Sequence, residues 1–91
     1  MEIQIGSLYI VKNLIGEIMH DFVPTKFDEG SQKYTGFSIG HDGTRYSHEI
    51  EGCYLHGPCT ETTTRYPKQY PEKVNQPVRY APDEDGLWRK Q

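Results

Sequence analysis

Four histidines and two cysteines have the widest chemical range in this chain, and five of these six residues fall between positions 41 and 59. His41, His48, Cys53, His56 and Cys59 offer the imidazole and thiolate ligands that tetrahedral zinc favours, and Cys53-x-x-His56-x-x-Cys59 spans a Gly57-Pro58 turn. The spacing argues against a metal. Structural zinc sites use paired Cys-x-x-Cys or His-x₃-His units, and on a strand over 53–56 Cys53 and His56 point to opposite faces. The reading is buried structural thiols and surface histidines, with no metal and no cofactor. A small zinc-binding protein using Cys53, His56 and Cys59 is the alternative.

Cys53 or Cys59, with His48 or His56 and a carboxylate such as Glu49, has the types needed for nucleophile, base and orienter. Any chain with four His and two Cys offers such triples, so they carry little weight. Gly36, Gly40 and Gly43 lie inside one hairpin rather than between a strand and a helix, so they do not form a phosphate loop. The chain is therefore expected to be non-enzymatic.

A second set of residues suits recognition. The stretch 65–80 interleaves Arg65, Lys68, Lys73 and Arg79 with Tyr66, Tyr70 and Tyr80. Tyr and Arg concentrate at binding hot spots, and a Pro-stiffened arm loses less entropy on docking. Stacking rings and cations also suit a nucleotide or single-stranded nucleic acid, and an extended arm can instead cover an edge of its own sheet. The binding candidates are Arg65, Tyr66, Tyr70, Arg79, Tyr80 and Trp88. Tyr34 and Arg45 join them as anchors on the polar face of the central hairpin. The expected function is a protein-binding module, a small microbial or viral regulator or inhibitor that occupies a partner protein. A small-ligand, nucleotide or single-stranded nucleic acid binder is the alternative, with nucleic acid the weaker partner class.

Composition limits the scaffold. Ninety-one residues suffice for one domain, and seven Tyr, three Phe and one Trp make up for few aliphatics. Self-association or a tightly packed arm would add stability to so small a core. Acidic side chains outnumber basic ones five to two in residues 1–30, and basic outnumber acidic six to four in 65–91. A net charge of −3 suggests neither a basic nucleic-acid binder nor an acidic mimic. No apolar run reaches membrane-spanning length and no leader pattern opens the chain, so the expected location is cytoplasmic, away from membranes.

The elements that would position these residues are mostly strands. Asp42-Gly43 between two alternating runs reads as a two-residue hairpin loop. That register pairs residues whose numbers sum to 85, so Phe37 opposes His48 and both turn into the core. Glu2 to Ile5 reads as a short strand. Leu8 to Val23 fits either an amphipathic helix, with Ser7 as cap and Pro24 as stop, or a hairpin turning at Asn13-Leu-Ile-Gly16. Three Ile, two Val and an internal Gly favour the hairpin, with Lys12 opposite Glu17, Val11 opposite Ile18 and Tyr9 opposite His20. Thr25 to Phe27 continues the strand past Pro24, which suggests a sheet edge. Short strands are expected at Cys53–His56 and Thr60–Tyr66. From Pro67 the chain reads as extended, closing as a loose hairpin around Asp83-Glu-Asp-Gly86 that returns Leu87 and Trp88 to the body.

The expected fold is mainly β: a small curled antiparallel sheet or barrel of five to six short strands with an extended Tyr/Pro-rich C-terminal arm. Residues 1–66 form the body and 67–91 the arm, which packs on the body or on a partner. The alternative is α+β with one amphipathic helix at 8–22.

Overall fold

The computed structural model describes residues 3–40, 42–58 and 78–91. The protein is mainly β. Strands β1 (Tyr9–Lys12), β2 (Ile18–Asp28), β3 (Lys33–Ile39) and β4 (Arg45–Glu51) form an antiparallel meander. A 3-10 turn (Gly52–Tyr54) leads into β5 (Leu55–His56), which returns to pair with β1, giving the order β4-β3-β2-β1-β5. Strands β6 (Tyr80–Pro82) and β7 (Trp88–Lys90) make a separate hairpin.

Three turns in this fold are built the same way. Asn13 N–H donates to the Glu17 carbonyl and Gly16 N–H to the Asn13 carbonyl, each at 3.0 Å. Gly40 with Thr44 and Gly43, and Asp83 with Leu87 and Gly86, repeat the pattern at 2.8–3.1 Å. In each, the fourth residue is a glycine at positive φ, +87°, +85° and +82°. This is a three-residue loop, a type I turn followed by a bulge, and the left-handed position explains the glycine. Residues 8–22 are thus a hairpin, not a helix. The expected register was short by one residue: Lys12 opposes Ile18, and a bulge at Val11/Lys12 then sets Val11 opposite His20 and Tyr9 opposite Phe22.

The same loop corrects the central hairpin. It holds three residues rather than two, so partner numbers sum to 84: Ile39 opposes Arg45, Phe37 opposes Ser47 and Gly36 opposes His48. A one-residue slip sends every side chain of one strand to the other face. His48 therefore leaves the Phe37 side and sits across from Gly36. Only glycine fits there, because a Cβ would collide with the Val23 carbonyl oxygen and lie 2.8 Å from Phe22 Cζ.

The sheet must curl. Flat, its two edges would stand about 19 Å apart, yet the four steps from Glu51 in β4 to Leu55 in β5 span at most about 14 Å. It stays open, since β4 and β5 do not pair. The concave face buries Tyr9, Val11, Phe22 and Leu55, with Ile3, Tyr34, Ile50 and Tyr54 packed around them. The convex face carries Leu8, Ile10, Val23 and Phe37, and the β6–β7 hairpin closes over it with Val78, Tyr80 and Trp88. Main-chain bonds fasten this cover: Leu8 N–H donates to the Val78 carbonyl at 3.0 Å and Tyr80 N–H to the Gly6 carbonyl at 2.6 Å. The expected hairpin around Asp83–Gly86 is present, and Trp88 reaches the core while Leu87 stays exposed.

Other expectations need correction. Residues 3–5 form no strand; the chain instead pairs one step later, through the bridge of Ser7 with Arg79. Residues 53–56 divide into the 3-10 turn and the two-residue β5. β2 is an interior strand despite Pro24. Pairing with β1 ends at Phe22, and the β2–β3 ladder shifts between Pro24 and Lys26, so the missing N–H falls at an irregularity. The expected strand at Thr60–Tyr66 and the start of the arm at Pro67 lie outside the described residues.

Candidate functional site

Two surfaces gather side chains with chemistry or exposure suited to a function. The first is the mouth of the concave face. His20 on β2 and His48 on β4 come from strands separated by β3, yet their rings stack at 4.5 Å with an interplanar angle of 19°. Curling brings them together across β3. His20 Nδ1–H donates to the Asp21 carbonyl at 2.7 Å; a carbonyl only accepts, so Nδ1 carries the proton. His48 Nε2 shares a hydrogen bond with Ser38 Oγ at 2.9 Å, and its edge meets Phe22. Burial pushes the His48 pKa below its ordinary value, and the neighbouring His20 adds to this, with Asp21 opposing. A groove of about 300 Å³ opens beside the pair, floored by Val11, Ile50 and Tyr54 and bordered by Met19.

The second surface is the β1–β2 hairpin tip. Leu14 and Ile15 are 88 % and 79 % exposed, and Ile18 and Met19 below them are about half exposed. The tip's main chain is hydrogen-bonded to a side chain: Asn13 Oδ1 accepts from Ile15 N–H at 3.1 Å and Glu17 N–H at 2.9 Å. Tyr54 connects the surfaces, since it borders the concave groove and also the shallow hollows under Leu14 and Ile15.

The candidates read from the sequence lie elsewhere. Arg45 lays its guanidinium over Phe37, 4.5 Å from the ring centre, and stands 5.8 Å from that of Tyr80. Tyr80 meets Phe37 edge-on and is buried, and Trp88 packs on the same cluster, so these three candidates come together on the convex face. Tyr34 is apart from them, on the concave side against Phe27. Arg79 is exposed. Arg65, Tyr66 and Tyr70 lie outside the described residues, as do His41 and Cys59. Cys53 and His56 border one hollow beside Lys12 and Asn13, where both are exposed rather than buried. Among the described residues no three His, Cys, Asp or Glu side chains converge as a metal site would require.

Sequence reasoning passed over Leu14 and Ile15. The signal was there: two large aliphatic residues occupy the middle of an Asn-x-x-Gly turn, where polar residues are the norm. Among the described residues no helix is long and apolar enough to cross a membrane. Compared with known proteins, the chain matches no protein-family model, no curated protein and no solved structure.

Proposed function

We propose that this protein is a non-enzymatic protein-binding module, a small regulator or inhibitor that occupies a partner through the β1–β2 hairpin tip. The exposure of Leu14 and Ile15 on a hydrogen-bonded turn carries the reading. Each such side chain gains about 1.5–3 kcal/mol on full burial. The turn pre-orders them, so little entropy is lost on docking. An apolar pocket on a protein suits them better than an anionic membrane surface, because Lys12 and Glu17, the charges flanking the tip in sequence, cancel. The exposed thiol of Cys53 fits a reducing, cytoplasmic setting.

The test is capture from the native host, with bound protein identified by mass spectrometry and the Leu14→Glu/Ile15→Asp variant run beside the wild type. The expected result is one protein held by the wild type and lost by the variant, with unchanged circular dichroism. Equal capture by both forms would remove the tip from the binding surface, and capture of nothing specific would remove the function.

A further inference from the structure

β4 is the long edge of the five-stranded sheet, and among the described residues nothing pairs with its outer side. It runs seven residues without Pro, in unbroken register with β3 from Glu51 to Arg45. Proteins normally blunt such an edge with charged side chains, a bulge, a proline or a covering segment. Among the described residues charges are the one such device on it, so their arrangement becomes informative.

The hydrogen-bond alternation decides which groups face outward. Gly40 N–H donates to the Thr44 carbonyl at 2.8 Å, which makes that closing pair a bonded one. Alternation then directs the main-chain groups of Tyr46, His48 and Ile50 at β3, and those of Arg45, Ser47, Glu49 and Glu51 away from it. An antiparallel neighbour must bond to these last four. Their side chains are all exposed on one face of the strand, while Tyr46, His48 and Ile50 share the concave face.

We infer that β4 pairs antiparallel with β4 of a second copy of this chain, about a two-fold axis at His48. That register sets Arg45 opposite Glu51 of the other copy and Ser47 opposite Glu49, each twice, and uses all four outward-facing residues. On the concave face it sets Tyr46, which is 53 % exposed, against the half-buried Ile50. Opposite charges and aromatic–aliphatic pairs are the cross-strand neighbours that stabilise a ladder. Moving the axis to Glu49 places Glu49 against Glu49, and moving it to Ser47 leaves Glu51 without a partner. The strand is thus self-complementary in one register, as a two-fold interface requires. Arg45 remains competent for the pair, because it is exposed and its five N–H donors are not consumed by lying over the Phe37 ring. The pairing stands apart from the hairpin tip, though a dimer would present two tips and gain avidity.

Sedimentation of the full chain from micromolar to submillimolar concentration tests this. The wild type is expected to dimerise. Arg45→Glu and Glu51→Arg should each weaken association by about tenfold or more, because like charges then face each other. The double exchange should restore it to within about threefold of wild type. Ser47→Pro removes an outward N–H without breaking the β3–β4 ladder, so a folded monomer is expected. A wild type that stays monomeric throughout overturns the inference. So does a dimer indifferent to the charge exchanges, or a monomer whose Arg45, Ser47 and Glu49 amides are protected from exchange by another segment.

Discussion

The turns at 13–17 and 83–87 are built on the same hydrogen bonds but present opposite chemistry. In the first, Asn13 Oδ1 accepts from the N–H groups two and four residues on. In the second, Asp83 Oδ1 does the same with Asp85 at 2.9 Å and Leu87 at 3.0 Å. The glycine, the closing pair and the side-chain acceptor are common to both. The two middle residues differ completely: Leu14-Ile15 in one and Glu84-Asp85 in the other. The turn is therefore indifferent to what sits at its middle positions. Folding does not account for an aliphatic pair at the first tip, and in the second the same geometry carries two acids. That contrast within one molecule is the firmest support for a binding role at Leu14 and Ile15.

The comparison can be broken in several ways, and the largest effect lies in the glycines. Gly16→Ala and Gly86→Ala each force a Cβ into the left-handed region, so each should cost about 1–2 kcal/mol in urea unfolding. Unequal costs would mean that the two turns do not share their strain. Asn13→Ala removes one acceptor serving two main-chain donors at an exposed turn, and roughly 1 kcal/mol is expected. Exchanging the middle residues, Leu14→Glu/Ile15→Asp or Glu84→Leu/Asp85→Ile, should change stability by less than about 0.5 kcal/mol, as surface changes do. A larger loss in the first exchange would show that the aliphatic pair is structural after all.

Acid separates the two turns. The Arg89 guanidinium, 2.6 Å from Asp83 Oδ2, holds the Asp83 carboxyl below its usual range, with the Leu87 and Asp85 amides assisting and desolvation opposing. A lowered folded value means that the contribution is present above the ordinary carboxylate range and lost as pH falls through the folded value. Exchange protection of the Asp85 and Leu87 amides should fade on acidification, while that of Ile15 and Glu17, bonded to the uncharged Asn13, should not. Asp83→Asn should abolish the difference. The smallest effect is at His48. Its folded value is also lowered, chiefly by burial, so the unfolded chain takes up a proton first. Stability should be complete above about pH 6.5 and decline below it. His48→Asn should flatten that decline in thermal melts.

Much of the chain was legible because turn chemistry is local. Asn13-x-x-Gly16 and Asp83-x-x-Gly86 announce their turns through a side-chain acceptor and a left-handed glycine three residues apart. Asp42-Gly43 announced a turn but not its length, since Gly43 is left-handed in either loop. Asp42 Oδ1 accepts from Thr44 N–H at 2.9 Å, a bond that accompanies the longer loop observed here. The candidate site was less legible. The His20–His48 stack joins residues 28 positions apart across a strand that lies between them, and nothing in their spacing marks it. Nothing in the sequence marks Arg45 and Tyr80 as neighbours, though the Arg45 guanidinium stands 5.8 Å from the Tyr80 ring centre.

The sequence by itself determined a β meander with glycine-closed turns and a returning C-terminal hairpin, because these follow from propensities and hydrogen bonds between near neighbours. Only the tertiary structure decided the register of β4. Alternation suggested one apolar and one solvated face, yet the central strands are covered on both. The convex side lies under Val78, Tyr80 and Trp88, and the curled concave side packs Tyr9, Val11, Phe22 and Leu55 against one another. With both faces buried, pattern alone no longer distinguishes two registers one residue apart. The observed register seats His48 opposite Gly36, stacked on His20 of β2 and hydrogen-bonded to Ser38, contacts that only the folded sheet supplies.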